Sequence, residues 1–225
     1  MFALWLGNSY LIKVYDNFLP DYFADDLENL HTSDRFGWYL NPSTIELPEK
    51  DGWKKFDDDG TISWEMNGIK QSFLDKRTVN SPQFTHVFYI QESGSISDHT
   101  SKVENVLKYI DTNTKELYVD RIKSNLNVNL TDYKEENYQP PHKDSPLEIF
   151  QSLLYYVNDS DGDTYFFDEN LNIIDVVSPK KNRAIVFPSN MIHAGSNPIK
   201  NGVRMVINFV FSEKKIKLVT EEDIK

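Results

Sequence analysis

The sequence predicts a mainly β fold with flanking α-helices, in which the strands form an antiparallel barrel or sandwich. From about residue 117, apolar runs rich in β-branched and aromatic residues follow one another at short intervals. Turn clusters such as NDSDGD, SPKKN and NPIKNG separate these runs, a pattern typical of antiparallel barrels and sandwiches. The apolar runs cover residues 117–133, 150–157, 164–167, 171–177, 183–187 and 203–211.

The region before residue 117 is predicted to supply helices, loops and supporting strands. A short strand is predicted at 10–15, and the segment LPDYFADDLENLH then spaces its apolar residues as one helix face. Those apolar residues are Leu19, Phe23, Leu27 and Leu30. The segment DHTSKVENVLKYI predicts a second helix with an apolar stripe from Val103 to Ile110. Residues 34–95 mix tryptophans with Gly, Pro and Asp, which indicates short strands and long loops.

No internal repeat or low-complexity linker divides the chain, so we predict a single domain over residues 1–225. Within it, residues 1–116 hold the helices, loops and supporting strands, and residues 117–211 form the β-rich core. Residues 212–225 are predicted to be a solvated terminal tail.

Composition restricts the classes of ligand and site. The chain has 35 acidic and 24 basic residues and a net charge of −11, which disfavours nucleic acid as a partner because phosphate contacts need Lys and Arg. It has no cysteine, so disulfides, zinc–thiolate sites, iron–sulfur clusters and cysteine nucleophiles are excluded. A metal ion would therefore be held by His, Asp and Glu.

The N-terminal segment MFALWLG is apolar but short, and no basic residue precedes it. It does not fit a signal peptide, and no later apolar run approaches the length that spans a membrane. The sequence therefore predicts a soluble, cytoplasmic protein without a membrane partner.

The segment YQPPHKDSP places His142 two residues before Asp144. Residues two apart on a strand point to the same side, so these two side chains could face one ion together. The alternative is an ordinary charged turn behind two prolines.

A third candidate ligand is His193 in FPSNMIHAGSNP, 51 residues after His142 and just after the apolar strand AIVF. Two histidines and one carboxylate are the ligand set of the facial triad in non-haem Fe(II) oxygenases, which leaves positions open for other ligands. A closed structural site would use four protein ligands instead. The alternative for His193 is a loop histidine that caps the end of a strand.

Arg204 lies inside the otherwise apolar run GVRMVINFVF, eleven residues after His193. A buried arginine is costly unless it meets an anion, and its planar guanidinium suits a carboxylate bound by two hydrogen bonds. The alternatives are an internal salt bridge, or a strand whose other face is in contact with water.

Residues from about 117 to 211 resemble the Fe(II)/2-oxoglutarate-dependent oxygenase superfamily, in the branch similar to prolyl 4-hydroxylases. The segments that carry the resemblance are YKEENYQPPHKD, SLLYYVND, DGDTYFFD, VSPKKNRAIVFPSNMIHAG and GVRMVINFVF. The opening LIKVYDNFLPDYFADDLENL also resembles the first strand and helix of the family, whereas residues 34–95 show no such resemblance.

The resemblance implies a double-stranded β-helix of the jelly-roll or cupin type, with Fe(II) bound at one end and 2-oxoglutarate and O₂ as co-substrates. The implied metal ligands, which are also the implied catalytic residues, are His142, Asp144 and His193. The implied contacts to 2-oxoglutarate are Arg204, Tyr133 and Thr164, with Arg204 clamping the distal carboxylate.

The activity implied by the resemblance is hydroxylation of a C–H bond with release of succinate and CO₂. A polypeptide is the expected substrate, and a prolyl residue is the leading candidate, although Arg204 replaces the lysine that is commoner among prolyl hydroxylases. The alternatives are hydroxylation of a free amino acid or other small molecule, and a jelly-roll protein that binds a ligand without turnover.

Two other features have simpler explanations than a second site. NDSDGD has the spacing of the first ligands of an EF-hand, but Thr164 and Asn170 occupy the positions that need Gly and Glu. A hairpin turn at Asp161-Gly162 is therefore predicted instead. The remaining histidines have no partner at metal spacing and are predicted to be surface or packing residues; they are His31, His86 and His99.

Overall fold

A computed structural model of the chain describes residues 12–42, 77–110 and 117–213, and the backbone of residues 53–54, 61–66 and 69–74. The predicted strand at 10–15 and the predicted tail at 212–225 therefore lie partly outside the described residues. The helices are α1 (Asp21–Thr32) and α2 (Thr100–Glu104), and a 3₁₀ helix, Asn105–Tyr109, continues α2. All helices in these described ranges are too short or too polar to cross a membrane.

The described strands form one large sheet and two small ones. The large sheet, called the major sheet, runs in the order β1 (Lys13–Tyr15), β12 (Arg183–Pro188), β9 (Gln151–Tyr156), β14 (Val203–Ser212), β8 (Tyr118–Val128), β6 (Gln83–Ile90) and β2 (Tyr39–Asn41), with β7 (Gly94–Ser95) paired to β6. The minor sheet runs in the order β11 (Ile173–Val177), β10 (Thr164–Phe167) and β13 (Ile192–Gly195). A third sheet contains β3 (Trp53–Lys54), β4 (Thr61–Met66) and β5 (Ile69–Leu74).

Two hydrophobic clusters cover opposite faces of the major sheet. Leu27 of α1 and Val103 of α2 pack with Ile122 on the outer face, whereas Val206 packs with Phe166 of the minor sheet on the inner face. Because successive residues of a strand point to opposite faces, β9, β12 and β14 each contribute to both clusters. The two antiparallel sheets form a jelly roll, and the predicted fold class is confirmed.

Two local predictions differ from the structure. The strand predicted at 117–133 ends at Val128, so Tyr133 lies in the following loop. The second predicted helix is α-helical for only five residues and continues as a 3₁₀ helix, a conformation that is common at the ends of short helices. The alternative considered for His193, a loop histidine, is not found, because His193 lies on a strand of its own, β13.

The hairpin predicted at Asp161-Gly162 is wrong, because β9 and β10 on either side of it belong to different sheets. The Asp161 carboxylate instead accepts hydrogen bonds from three successive main-chain N–H groups at 199–201, at 3.2, 2.7 and 3.2 Å. Short polar turns look alike in sequence whether the chain reverses within one sheet or crosses to another. Asp161 therefore stabilises the loop that leads into β14.

His31 is a packing residue, as predicted, and joins α1 to the major sheet. Its side chain is 1% exposed, Nδ1 lies 2.7 Å from the Leu27 carbonyl, and Nε2 lies 2.7 Å from Ser124 Oγ. Burial lowers the pKa of His31 to about 4, because the imidazolium would lose its hydration. The ring is therefore neutral in the folded protein at neutral pH.

This neutral ring should make the stability of the protein depend on pH between about 4 and 6.5. In that interval unfolded His31 binds a proton at its ordinary pKa while folded His31 does not, so the free energy of unfolding rises with pH. The full effect corresponds to about 3 kcal/mol. Urea unfolding of the wild type and His31→Gln between pH 5 and 7 measures it. We expect a shallower pH dependence in the variant, and equal slopes would contradict the prediction.

Candidate active site

Main-chain pairing brings the two candidate histidine ligands side by side. The N–H of His142 donates to the His193 carbonyl, and the N–H of His193 donates to the His142 carbonyl, both at 2.9 Å. His193 is held in turn by β13, which pairs with β10 in the minor sheet. The two imidazole rings consequently lie with their centroids 4.6 Å apart.

Asp144 completes a cluster of three possible metal ligands. One ligand atom from each of His142, Asp144 and His193 lies within 4.8 Å of the others, and Asp144 Oδ2 is 3.6 Å from His193 Nε2. Within the part of the chain that the structure describes, this is the one group of three or more such side chains that could hold a metal ion.

Hydrogen bonds fix the tautomers of both rings. Nδ1 of His142 lies 3.1 Å from the Pro140 carbonyl, and Nδ1 of His193 lies 3.0 Å from the Met191 carbonyl. Because a carbonyl can only accept, each Nδ1 carries the proton and each Nε2 presents a free lone pair. Burial, with a further contribution from His193, lowers the pKa of His142 to about 4, so its ring is neutral at pH 7.

The Asp144 carboxylate is buried and held by donors from three neighbouring strands. Ser152 Oγ donates to Oδ2 at 2.7 Å, Arg121 Nη2 donates to Oδ1 at 3.1 Å, and Asn208 Nδ2 lies 3.1 and 3.0 Å from the two oxygens. Burial by itself would raise the pKa of Asp144, but His193, Arg121 and the Ser152 hydrogen bond lower it well below its usual range. The group is therefore an anion at neutral pH.

Arg204 lies on the inner face of β14 and is 4% exposed. Its Nε donates to the Gly162 carbonyl at 2.7 Å and its Nη2 donates to Thr164 Oγ1 at 2.8 Å. Burial lowers the pKa of its guanidinium, although the neighbouring Tyr156 acts in the opposite direction. No ion pair joins it to a carboxylate among the described residues, so the internal salt bridge considered from the sequence is not found there.

Two tyrosines and a threonine surround this guanidinium. Tyr156 Oη donates to Thr164 Oγ1 at 2.7 Å, and the Tyr156 ring centroid lies 5.6 Å from the Arg204 Cζ. Burial raises the pKa of Tyr133, while the main chain of Asn197 and the charge of Arg204 oppose the rise. The Tyr133 hydroxyl is buried and has no partner of normal hydrogen-bond geometry among the described residues. The structure therefore brings Tyr133, Thr164 and Arg204 together.

Glycines allow the backbone to approach this arginine closely. A Cβ atom at Gly162 would lie 2.5 Å from the Ser196 carbonyl oxygen and 2.9 Å from Arg204 Cδ, closer than real Cβ contacts. A Cβ atom at Gly195 would lie 3.2 Å from Arg204 Nη1. The position of the guanidinium thus depends on glycine at Gly162, and a larger residue would have to displace its neighbours.

Sequence reasoning missed Arg121, Ser152, Tyr156 and Asn208. A signal for Asn208 was present, because it is a polar residue in an apolar run and lies four positions after Arg204, hence on the same face. No comparable signal marks Ser152 or Tyr156, since their contacts depend on which strands become neighbours.

A comparison with protein families gives the decisive observation: residues 128–212 match the family described as the 2OG-Fe(II) oxygenase superfamily. These residues are similar to that superfamily, and they make up less than half of the chain. The match contains His142, Asp144, His193 and Arg204. A comparison with curated proteins finds no match for the chain.

Solved structures of 2OG-Fe(II) oxygenases have the same fold at low sequence identity. HygX from Streptomyces hygroscopicus, with nickel and 2-oxoglutarate bound, has a TM-score of 0.52 at 8% identity, over 94% of this chain and 88% of that chain. A prolyl-4-hydroxylase from Pseudomonas putida has a TM-score of 0.50 at 11% identity, over 91% and 94%. A prolyl hydroxylase from Trichoplax adhaerens, in complex with a peptide fragment of hypoxia inducible factor, has a TM-score of 0.50 at 13% identity, over 90% and 83%.

The 2OG-Fe(II) oxygenases, which residues 128–212 match, use Fe(II), 2-oxoglutarate and O₂. The side chains present fit these groups. Two imidazole nitrogens and one carboxylate are a donor set that suits Fe(II) and leaves coordination positions open. The buried guanidinium of Arg204 and the buried hydroxyl of Tyr133 suit a carboxylate.

Proposed function

We propose that the protein is a 2-oxoglutarate-dependent hydroxylase that acts on a polypeptide, with a prolyl residue as the leading target. In this proposal His142, Asp144 and His193 bind Fe(II), and Arg204 binds the distal carboxylate of 2-oxoglutarate. The observation that carries it is that the inner face of β14 meets the cluster of three possible metal ligands through Asn208 and carries the buried Arg204, which has no carboxylate partner among the described residues.

Bound Fe(II) would supply the redox chemistry by which O₂ oxidises 2-oxoglutarate to succinate and CO₂ and the C–H bond is hydroxylated. The protein side chains prepare this site in advance. Both Nε2 lone pairs are free because each Nδ1–H is engaged, and the Asp144 carboxylate is ionised. His142 and Asp144 therefore do not have to lose a proton at neutral pH before the metal binds.

Arg204 and Asn208 are four residues apart on β14, so their Cα atoms are separated by about 13 Å on the same face. Asn208 contacts Asp144 at one end of this face, and Arg204 lies at the other. A short dicarboxylate can bind the metal with one end and the guanidinium with the other. Thr164 and Tyr133 would orient the distal carboxylate, and burial would keep water from competing for it.

Gly162→Ala should weaken 2-oxoglutarate binding without removing the metal site. The new methyl group would collide with the Ser196 carbonyl and with Arg204 Cδ, which forces the guanidinium to move and destabilises the fold by about 1–3 kcal/mol. We expect a higher apparent KM for 2-oxoglutarate and unchanged Fe(II) affinity. Gly202→Ala is the matched control, because a Cβ atom there would meet nothing within 4 Å. Equal KM values in both variants would show that the close approach is unimportant.

Charge supports a polypeptide rather than a nucleic acid as the substrate. The net charge of −11 disfavours a phosphate backbone and attracts peptides rich in Lys or Arg. Two of the structures with the same fold are prolyl hydroxylases, and one of them has a peptide bound. Their similarity to this chain is one of fold and does not by itself identify the substrate. The substitution of Arg204 for the commoner lysine makes the prolyl assignment the part of the proposal that most needs a test.

Succinate formation across a substrate panel tests the proposal. The panel contains Lys-rich peptides with one proline, the same peptides with that proline changed to alanine, free amino acids, and single-stranded DNA and RNA. We expect succinate above the substrate-free level only with proline-containing peptides, together with a mass increase of one oxygen atom. Stimulation by a free amino acid alone would support the small-molecule alternative, and a modified nucleobase would overturn the proposal. Absence of both Fe(II) binding and succinate formation would favour a jelly-roll protein without turnover.

Salt should weaken the use of basic peptides. Exposed charges are screened over about 8–10 Å at physiological ionic strength, so raising NaCl should raise the apparent KM for a Lys-rich peptide severalfold. A neutral peptide with the same target residue is the control and should show little change. If both peptides respond equally, long-range attraction does not contribute to substrate selection.

A further inference from the structure

The three side chains that hold Asp144 come from three adjacent strands of the major sheet. Ser152 lies on β9, Asn208 on β14 and Arg121 on β8, and β14 pairs with both of the others. Asp144 Oδ2 is the oxygen that lies 3.6 Å from His193 Nε2. Asn208 Nδ2 lies 3.1 Å from Oδ1 and 3.0 Å from Oδ2 and so contacts both oxygens. Arg121 donates to Oδ1 at 3.1 Å, and Ser152 donates to Oδ2 at 2.7 Å. The two carboxylate oxygens therefore differ in their second donor, which is a guanidinium for Oδ1 and a hydroxyl for Oδ2.

Arg121 and Asn208 each leave a second polar atom without a partner. Arg121 Nε and Asn208 Oδ1 are buried and make no hydrogen bond among the described residues. A buried polar atom without a partner destabilises a fold. Leu154 and Val206 of the same inner face belong to a hydrophobic cluster, which shows that apolar residues are accommodated there. Folding alone would favour an apolar side chain at Asn208, so the contacts to Asp144 are the reason for a polar one.

We propose that Arg121 and Asn208 are positioning residues: Asn208 fixes the orientation of the Asp144 carboxylate by contacting both oxygens, and Arg121 holds Oδ1, so that Asp144 presents Oδ2 to the metal. The inference rests on the proposed metal site and adds how its carboxylate ligand is fixed. A carboxylate without these donors can rotate and bind a metal through both oxygens. Binding through one oxygen leaves an additional coordination position for co-substrate and O₂. Donors that surround a metal ligand typically change metal affinity by about 10- to 100-fold.

The test uses Co(II) as the probe, with the full-length apoprotein. Calorimetric titration gives the Co(II) affinity, the visible absorption of bound Co(II) reports its coordination geometry, and urea unfolding of the apoprotein gives its stability. The variants are Asn208→Leu and Arg121→Met, which preserve side-chain volume approximately. Arg183→Met is the matched control, because Arg183 lies on β12 of the same sheet and its hydrogen bonds go to Asp16 and the Ser178 carbonyl rather than to Asp144.

We expect Asn208→Leu and Arg121→Met to weaken Co(II) binding by about 10- to 100-fold and to change its visible spectrum. The urea midpoint of Asn208→Leu should not fall, because the change removes the unpartnered Oδ1 together with the contact. Arg183→Met should stay within about fivefold of the wild type and keep its spectrum, because the part-exposed ion pair of Arg183 with Asp16 does not involve Asp144. A merely structural role would lower the urea midpoint and leave the spectrum unchanged.

Wild-type affinity and spectrum in both variants would overturn the inference. If Arg121→Met does not fold, Arg121→Lys takes its place, because lysine keeps the charge without the planar guanidinium. Normal Co(II) binding by both Arg121→Lys and Asn208→Leu would then overturn the inference. Failure of the proposed function looks different: the wild type itself would bind no Co(II), or would bind it and form no succinate. In the latter case the effects on Co(II) binding still test the positioning role.

Discussion

Replacing Asp144 with asparagine, or His142 with alanine, should abolish Fe(II) binding and all formation of succinate. Alanine at 142 removes one of the three proposed protein ligands, and asparagine at 144 preserves the volume of Asp144 while replacing its anionic carboxylate with a neutral amide. We expect metal affinity to fall by more than about 100-fold, beyond the loss usual for residues around the ligands. Anaerobic Fe(II) titration and succinate detection measure the two effects separately.

His99→Ala is the matched control for the histidine variant, because His99 lies outside the cluster of possible metal ligands. It should bind Fe(II) and form succinate as the wild type does. Urea unfolding of each apoprotein shows whether a variant remains folded. If folded Asp144→Asn or folded His142→Ala kept wild-type Fe(II) affinity, the proposed ligand set would be wrong.

Arg204→Met should separate binding of 2-oxoglutarate from binding of the metal. Methionine fills much of the same volume but cannot pair with a carboxylate, so the variant loses a charge-assisted contact of about 1.5–3 kcal/mol. We expect 2-oxoglutarate to bind about 10- to 100-fold more weakly, with nearly unchanged Fe(II) affinity. The 2-oxoglutarate affinity of Arg204→Lys should lie between those of the wild type and Arg204→Met, because lysine keeps the charge and loses the planar guanidinium. Calorimetry with Co(II) in place of Fe(II) measures 2-oxoglutarate binding without turnover.

Arg183→Ala controls for the loss of an arginine from the major sheet. Arg183 lies on β12 and pairs with Asp16 at 2.7 Å in a part-exposed ion pair, away from Thr164 and Gly162. The Arg183→Ala variant should bind 2-oxoglutarate as tightly as the wild type does. If Arg204→Met and Arg204→Lys both fail to fold, Arg204 is a structural residue and the role proposed for it is wrong.

Local sequence patterns determined the elements of the fold and the identity of the ligand candidates. Alternating apolar residues and turn clusters predicted the β-rich half, and helical spacing predicted α1. His142 and Asp144 stand out because they are two residues apart, and Arg204 because it is charged within an apolar strand. These signals lie within a few residues of each other, so they need no knowledge of how distant segments meet.

The tertiary structure alone decided which elements become neighbours. His142 and His193 are 51 residues apart, and only the reciprocal main-chain bonds between them bring their rings together. Arg121 and Asp144 are likewise distant in the sequence. They meet because the loop that carries Asp144 packs against the face of the major sheet to which Arg121 of β8 points. Alternation along a strand specifies two faces, but it does not specify the partner strand or its register.

The turn at Asp161-Gly162 shows the same limit. Its sequence is typical of a hairpin, yet the flanking strands join different sheets, and the glycine is required because Arg204 and the Ser196 carbonyl approach it closely. Polarity and turn propensity are properties of neighbouring residues, and the sequence determined them. Close approach between residues about 40 positions apart depends on strand pairing across the whole sheet, which only the folded chain fixes.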